Sequence, residues 1–198
     1  MTESANTLQG RKVTTRHRIT VAAQQLTDAH GYDGFTMDEL ADAAGVSRRT
    51  LFNYFPGKLD AVLGATFDLA PELLERFRAK GPTGILIDDL LVLVQHIVSI
   101  KEFTREEAAV ARRVVKSEAR LMVAAHTRVE AFLDEFITHI LEREGQEFGA
   151  HRAKLLVTVL ACLYDVALRD VLDDDAGGER DLEESYADSL TTLRELLA

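Results

Sequence analysis

Apolar residues recur along this chain at spacings of three and four, and no useful run alternates with the period of two that a strand needs. The pattern therefore predicts an all-α protein of about nine helices. A first stripe, Ile19, Ala22, Ala23 and Leu26, predicts a helix over about 13–30, ended by Gly31. A second, Met37, Leu40, Ala41 and Ala44, predicts a short helix ended by Gly45. It opens on Thr36-Met37-Asp38-Glu39, a capping-box pattern in which Thr36 and Glu39 satisfy orphan amides reciprocally. Ser47 suits the N-cap of a third helix reaching about Tyr54, and Pro56 stands where a fourth begins.

Further on the predicted helices lengthen. Leu59, Val62, Leu63, Phe67, Leu73, Leu74 and Phe77 mark the fourth, with Pro71 inside it, where the missing N–H and the ring should kink or end the helix. Gly81-Pro82-Thr83-Gly84 is the clearest turn, followed by a nearly apolar helix from Ile85 to Ile100. No glycine or proline falls between Phe103 and Glu144, and a break is expected near Ser117–Arg120. The segment of about 150–172 is apolar on most faces, and a last helix of about 182–197 carries the stripe Leu182, Tyr186, Leu190, Leu193 and Leu197.

Two short helices joined through Ala44-Gly45-Val46 have the spacing of a helix-turn-helix, with Val46 and Leu51 packing on Leu40 and Ala41. In that unit the second helix offers its N-terminal side chains to base edges in the major groove. Here those are Arg48, Arg49 and Thr50, and an arginine fork suits guanine or phosphate. Lys58 falls in the first turn of the following helix, where free N–H groups and the dipole already favour an anion. Taken singly, each of these charges is as readily a solvated surface residue, and Phe52 and Phe55 read as packing. The order and spacing together carry the argument.

The stretch from Thr36 to Lys58, TMDELADAAGVSRRTLFNYFPGK, resembles the DNA-binding signature of the tetracycline-repressor (TetR) family, and the likeness extends over about 13–62. The resemblance implies an N-terminal three-helix DNA-binding domain and a C-terminal helical bundle for effector binding and dimerisation. The boundaries expected on that basis are a flexible arm over 1–12, a DNA-binding domain over 13–60 with its motif at about 36–55, and a C-terminal domain over 61–198. It implies DNA contacts from Thr36, Ser47, Arg48, Arg49, Thr50, Asn53, Tyr54 and Lys58. Asp38 departs from members that place a polar or basic contact there. Arg11, Lys12, Arg16, His17 and Arg18 form either a backbone-touching arm or a solubilising tail.

A domain this small reads few base pairs, so a homodimer on a pseudo-palindromic operator is expected. The last two apolar helices are the expected interface, with Val157, Leu160, Ala161, Leu168, Leu190, Leu193 and Leu197 as candidates. The intramolecular core claims about half of such residues equally well. The helices of 59–145 would enclose a pocket for a small, largely lipophilic effector. Its candidate lining is Phe67, His96, Phe103, Arg113, His126, Phe136 and Tyr164, residue types that are as often core. The function expected is thus a ligand-responsive transcriptional regulator, a repressor released by its effector. The alternatives are an effector-independent DNA-binding regulator and a helical enzyme.

Composition narrows this further. Of 198 residues, 23 are Lys or Arg and 33 Asp or Glu, a net charge of −10 that by itself argues against nucleic acid. Its distribution reverses the inference. Residues 1–60 hold seven basic and seven acidic side chains, so the whole excess lies downstream. One cysteine, Cys162, and no apolar leader fit a cytoplasmic protein, and 155–168 is too short to span a bilayer. No nucleophile elbow, phosphate-cradling glycine loop or metal-ligand spacing is present, so neither an enzyme, a cofactor nor a metal is expected. The acidic stretch Asp173 to Glu184 imitates a calcium loop but lacks an oxygen side chain at its fifth position, and reads as a helix connector.

Overall fold

The computed structural model describes residues 2–65, 69–99, 104–173 and 181–197; for 2–12 and Ser99 only the backbone is described. Among the described residues the chain is helical: α1 Thr2–His30, α2 Met37–Ala43, α3 Arg48–Tyr54, α4 Lys58–Leu63, α5 Pro71–Arg78, α6 Leu86–Ser99, α7 Arg105–Ser117, α8 Ala119–Glu144, α9 Ala150–Asp173 and α10 Leu182–Leu197. A 3-10 turn, Gln146–Phe148, precedes α9. Two expectations change. α1 starts at Thr2 rather than near Val13, since 2–12 contains no proline to interrupt it. The expected fourth helix is two: Gly64, at φ 73°, stops α4, and Pro71 opens α5 at its first turn instead of kinking a longer helix.

The chain forms two compact units, 1–66 with 102–127 and 67–101 with 128–198. This grouping cuts across the sequence boundary at 60, because α7 and the start of α8 pack with the N-terminal helices. The first unit is centred on the predicted α1 stripe. Ile19 and Ala23 are fully buried, with Phe35, Leu40, Ala41, Leu51, Phe55, Ala61 and Val62 around them and Val114 and Leu121 added from α7 and α8. Buried Gln24 donates to the Val62 carbonyl at 3.0 Å, tying α1 to α4.

The second unit packs Phe77, Leu90, Leu93, Phe136, Ile140, Ala153, Val157 and Leu160 from α5, α6, α8 and α9, while α10 lies along α9 and α6. Inside it runs an ion pair with both side chains wholly buried: Arg143 donates to Asp89 at 2.6 Å and to the Phe77 carbonyl at 2.6 Å, and its guanidinium lies 4.8 Å from the Phe77 ring centre. The other Asp89 oxygen accepts from the amide and the hydroxyl of Thr83, each at 2.7 Å, so the 81–84 turn is fastened to the same carboxylate.

Burial opposes ionisation of Asp89, but the Thr83 hydrogen bonds and the guanidinium outweigh it and hold the carboxyl below its usual range. A carboxyl whose pKa is lower folded than unfolded stabilises above the unfolded value, about 3.9, and loses that contribution as pH falls through the folded one. Asp89→Asn should therefore cost about 1.5–3 kcal/mol near neutral pH, the range for hydrogen bonds to a charged group, because Arg143 loses the buried carboxylate while keeping its 2.8 Å contact to Glu144; the deficit should shrink below about pH 4. Urea unfolding across pH measures both.

Candidate nucleic-acid interface

Local chemistry builds the α2–α3 unit. The Thr36 hydroxyl accepts from the Glu39 amide at 3.2 Å, while the Glu39 carboxylate accepts from the Thr36 amide at 2.7 Å and the hydroxyl at 2.9 Å. The backbone hydrogen bond from Thr36, and then that from its hydroxyl, hold the Glu39 carboxyl below its usual range. At the other end Gly45 takes φ 61°; its amide reaches the Asp42 carbonyl at 3.0 Å and the Val46 amide the Ala41 carbonyl at 2.9 Å. That closing geometry needs a left-handed residue, which glycine adopts without a Cβ penalty. Ser47 caps α3 by accepting from the Thr50 amide at 3.0 Å, and its hydroxyl lies 2.8 Å from that of Thr50.

Leu51 and Phe55 are buried, which leaves Ser47, Arg48, Arg49 and Asn53 exposed on the other side of α3, with Thr50 and Tyr54 half-buried. Thr36 is exposed at the start of α2. Phe52 corrects its sequence reading: it is 42% exposed rather than packed. In a helix of seven residues only Leu51 is buried, so Phe52, one position on, is carried away from the core.

Lys58 has its charge engaged at the α1–α2 corner. Its ammonium donates to the Tyr32 carbonyl at 2.9 Å and to the Phe35 carbonyl, and lies 4.2 Å from the Phe35 ring centre and 5.3 Å from that of Tyr32. Arg120 covers Tyr32 at 4.2 Å and grips Asp33 with two nitrogens, one at 3.1 Å. One helix away Arg113 makes a two-pronged contact with Asp28, one bond at 2.8 Å. These hydrogen bonds hold the Asp28 and Asp33 carboxyls below their usual range. No sequence signal marks the Asp28 and Asp33 partnerships, since 85 and 87 residues separate the partners.

Residues 19–63 match the family model described as bacterial regulatory proteins, tetR family. The chain is 46% identical over 48 residues to the putative mycofactocin biosynthesis transcriptional regulator MftR of Mycobacterium tuberculosis, 24% of each chain. It is 26% identical over 170 residues to the transcriptional activator FasR of Mycolicibacterium smegmatis, 84% of this chain and 76% of that one. Residues 19–63 thus carry a DNA-binding domain of the tetR type. A third relative, the regulator CymR of Pseudomonas putida, is 36% identical over 81 residues, 40% of this chain and 39% of that one. The chain thus spans about a quarter of the first of these relatives and two-fifths of the third.

The candidate effector residues divide between the two units. Arg113 and exposed His126 belong to the unit that carries α2 and α3. Half-buried His96, buried Phe136 and half-buried Tyr164, whose phenol pKa is pushed up by burial, belong to the other. Phe67 and Phe103 lie outside the described residues, as do 174–180 of the calcium-like stretch. Asp181 accepts from the Glu184 amide at 2.9 Å, as a helix cap does.

Of the dimer candidates, Val157 and Leu160 are buried in the core of their own unit, because α9 turns them toward α5, α6 and α8. Ala161, Leu168, Leu190 and Leu193 are half-buried and Leu197 is 79% exposed. Among the described residues no helix is long and apolar enough to cross a membrane.

The Lys58 contacts yield a stability expectation separable from DNA. Lys58→Met should lower unfolding stability without DNA by about 1.5–3 kcal/mol, the range for hydrogen bonds from a charged group. Thermal melting of the free protein measures it; an unchanged melt would return Lys58 to the phosphate-binding role.

Proposed function

We propose that this protein is a TetR-family regulator that binds double-stranded operator DNA as a homodimer, with α3 in the major groove, and regulates transcription in response to a small effector. One observation carries the reading: a capped, glycine-closed α2–α3 pair that buries Leu51 and Phe55 and leaves Arg48, Arg49 and Asn53 exposed together. Arg48 and Arg49 supply the forked donors that guanine and phosphate accept. Thr36, Ser47, Thr50 and Tyr54 serve as backbone contacts, and Lys58 acts by holding the corner ahead of α2. The acidic excess lies downstream of residue 60, outside the α2–α3 pair, and residues 1–60 are neutral overall.

The dimer reading rests on apolar area that stays exposed among the described residues. On α9, Leu155 at 59% exposure, Cys162 and Val166 at 47% recur along one face, and on α10 Leu196 is 77% exposed. A second copy packing α9 and α10 against the same helices would cover them, the isologous arrangement expected of a two-fold dimer. The effector reading places a lipophilic molecule in the second unit, among half-buried residues such as Phe132, Leu91, Val94 and Tyr164. By linkage, an effector that weakens DNA binding must bind the DNA-free protein more tightly by the same factor. The sign of regulation proposed is repression. Activation is the second reading, favoured by the likeness to the activator FasR over 84% of the chain. A promoter reporter with and without the protein decides between them.

Fluorescence anisotropy on duplexes from upstream of its own gene should show specific binding. Arg49→Ala should weaken it and flatten the dependence of log K on log salt by about 0.9 for each phosphate that is no longer neutralised. Binding indifferent to the removal of both Arg48 and Arg49 would overturn the reading. Sedimentation should find a dimer, and Leu155→Glu with Val166→Glu should yield a folded monomer with much weaker operator affinity; a dimer that survives both changes places the interface elsewhere.

A further inference from the structure

The helix-turn-helix spacing does not require the ion pair that lies across the exposed side of α2 and α3. Asp38, the second residue of α2, and Arg48, the first of α3, meet at 2.9 Å between a carboxylate oxygen and one terminal guanidinium nitrogen, with 61% and 67% of the side chains exposed. The Arg48 guanidinium also stands 5.7 Å from the ring centre of Phe52, one helical turn along α3. An ion pair this exposed stabilises a fold very little. A cation at the first position of a helix lies at the positive end of the dipole, so α3 alone gives Arg48 no reason to stay there. Asp38 occupies the favourable end of α2, anchored on a helix whose ends are both closed. The pair therefore acts on where Arg48 points rather than on whether the unit folds.

We propose that Asp38 is a positioning and specificity residue, which holds the Arg48 fork against the Phe52 ring so that it reads guanine. This rests on the DNA-binding reading above. The contact to Asp38 uses one terminal nitrogen and leaves the edge of Nε and the other terminal nitrogen for O6 and N7 of a guanine. Pre-orientation removes rotamers that would otherwise be lost on binding. The carboxylate also cancels the Arg48 charge, so Arg48 adds little to sequence-independent attraction for phosphate, which follows net neutralised charge. The result is discrimination at one base position, gained at the expense of non-specific affinity.

The test is selection from a random duplex library with the full-length wild type, Asp38→Asn, Arg48→Ala and the double variant, followed by affinity and salt dependence on the selected site. Asn keeps the size and the helix-capping character of Asp while removing the charge, and Asp38→Ser serves if Asn perturbs the melt. Wild type should enrich a guanine at one position in each half-site, a preference that Arg48→Ala should reduce by roughly 5- to 150-fold. Asp38→Asn should lose most of the same preference, with other positions unchanged. It should bind random duplex more tightly, its salt slope steeper by about 0.9 per subunit. The double variant should lose no more at that base than Arg48→Ala alone. Retention of the guanine preference by Asp38→Asn, or a loss spread evenly over all positions, would overturn the proposal and leave the DNA-binding reading standing. Failure of the wild type to enrich any sequence would instead overturn that reading, and this proposal with it.

Discussion

At the corner between α1 and α2 two backbone carbonyls, those of Tyr32 and Phe35, turn inward beyond the reach of any helix, and the Lys58 ammonium satisfies both. Carbonyls left without donors in a partly closed corner would oppose the turn that brings α2 back onto α1. The same cation lies against the faces of Tyr32 and Phe35, and Arg120 takes the Tyr32 ring and Asp33. The position of α2, and through the Gly45 closure that of α3, depends on this corner. The exposed arginines of α3 sit at the end of a chain of constraints that begins with a lysine facing inward.

The second unit solves a similar problem by other means. Its 81–84 turn and the ends of α5 and α8 converge on a buried ion pair, Asp89 with Arg143, in which both oxygens and several guanidinium donors find partners. Such a pair adds little net stability relative to an apolar replacement, but breaking it is costly. It accordingly fixes which turn meets which helix, while Phe77, Leu90, Leu93 and Ile140 supply the burial.

The parts legible in the sequence are local ones. The capping box at Thr36 and Glu39, Gly45 as terminator, the Ser47 cap and the stripe from Ile19 to Leu26 each depend on residues within a few positions of one another. So do the break between α7 and α8 and the limits of α9 and α10. Phe52 is not legible in this way, because helical spacing alone does not say how wide a buried face a seven-residue helix has. The position of Lys58 suits an anion and points outward on sequence grounds, whereas the corner carbonyls it meets come from residues 23 and 26 positions earlier. Composition groups Arg113 with pocket residues, and only folding brings it to Asp28.

By itself the sequence determined most of the helices, the caps of α2 and α3 and the character of the α2–α3 unit, because helix periodicity and capping are written in neighbouring side chains. It determined too that the N-terminal sixty residues are electrically neutral while the remainder is acidic. Tertiary structure alone decided which charges are engaged by distant parts of the chain and which are not. Lys58, Arg113, Arg120 and Arg143 are engaged by groups between 23 and 87 residues away, while Arg48, paired with Asp38 ten residues away, and Arg49 stay on the surface. The physical reason is that a charge's role is set by what lies within a few ångströms of it, and for these residues chain folding, not chain order, brings those neighbours near.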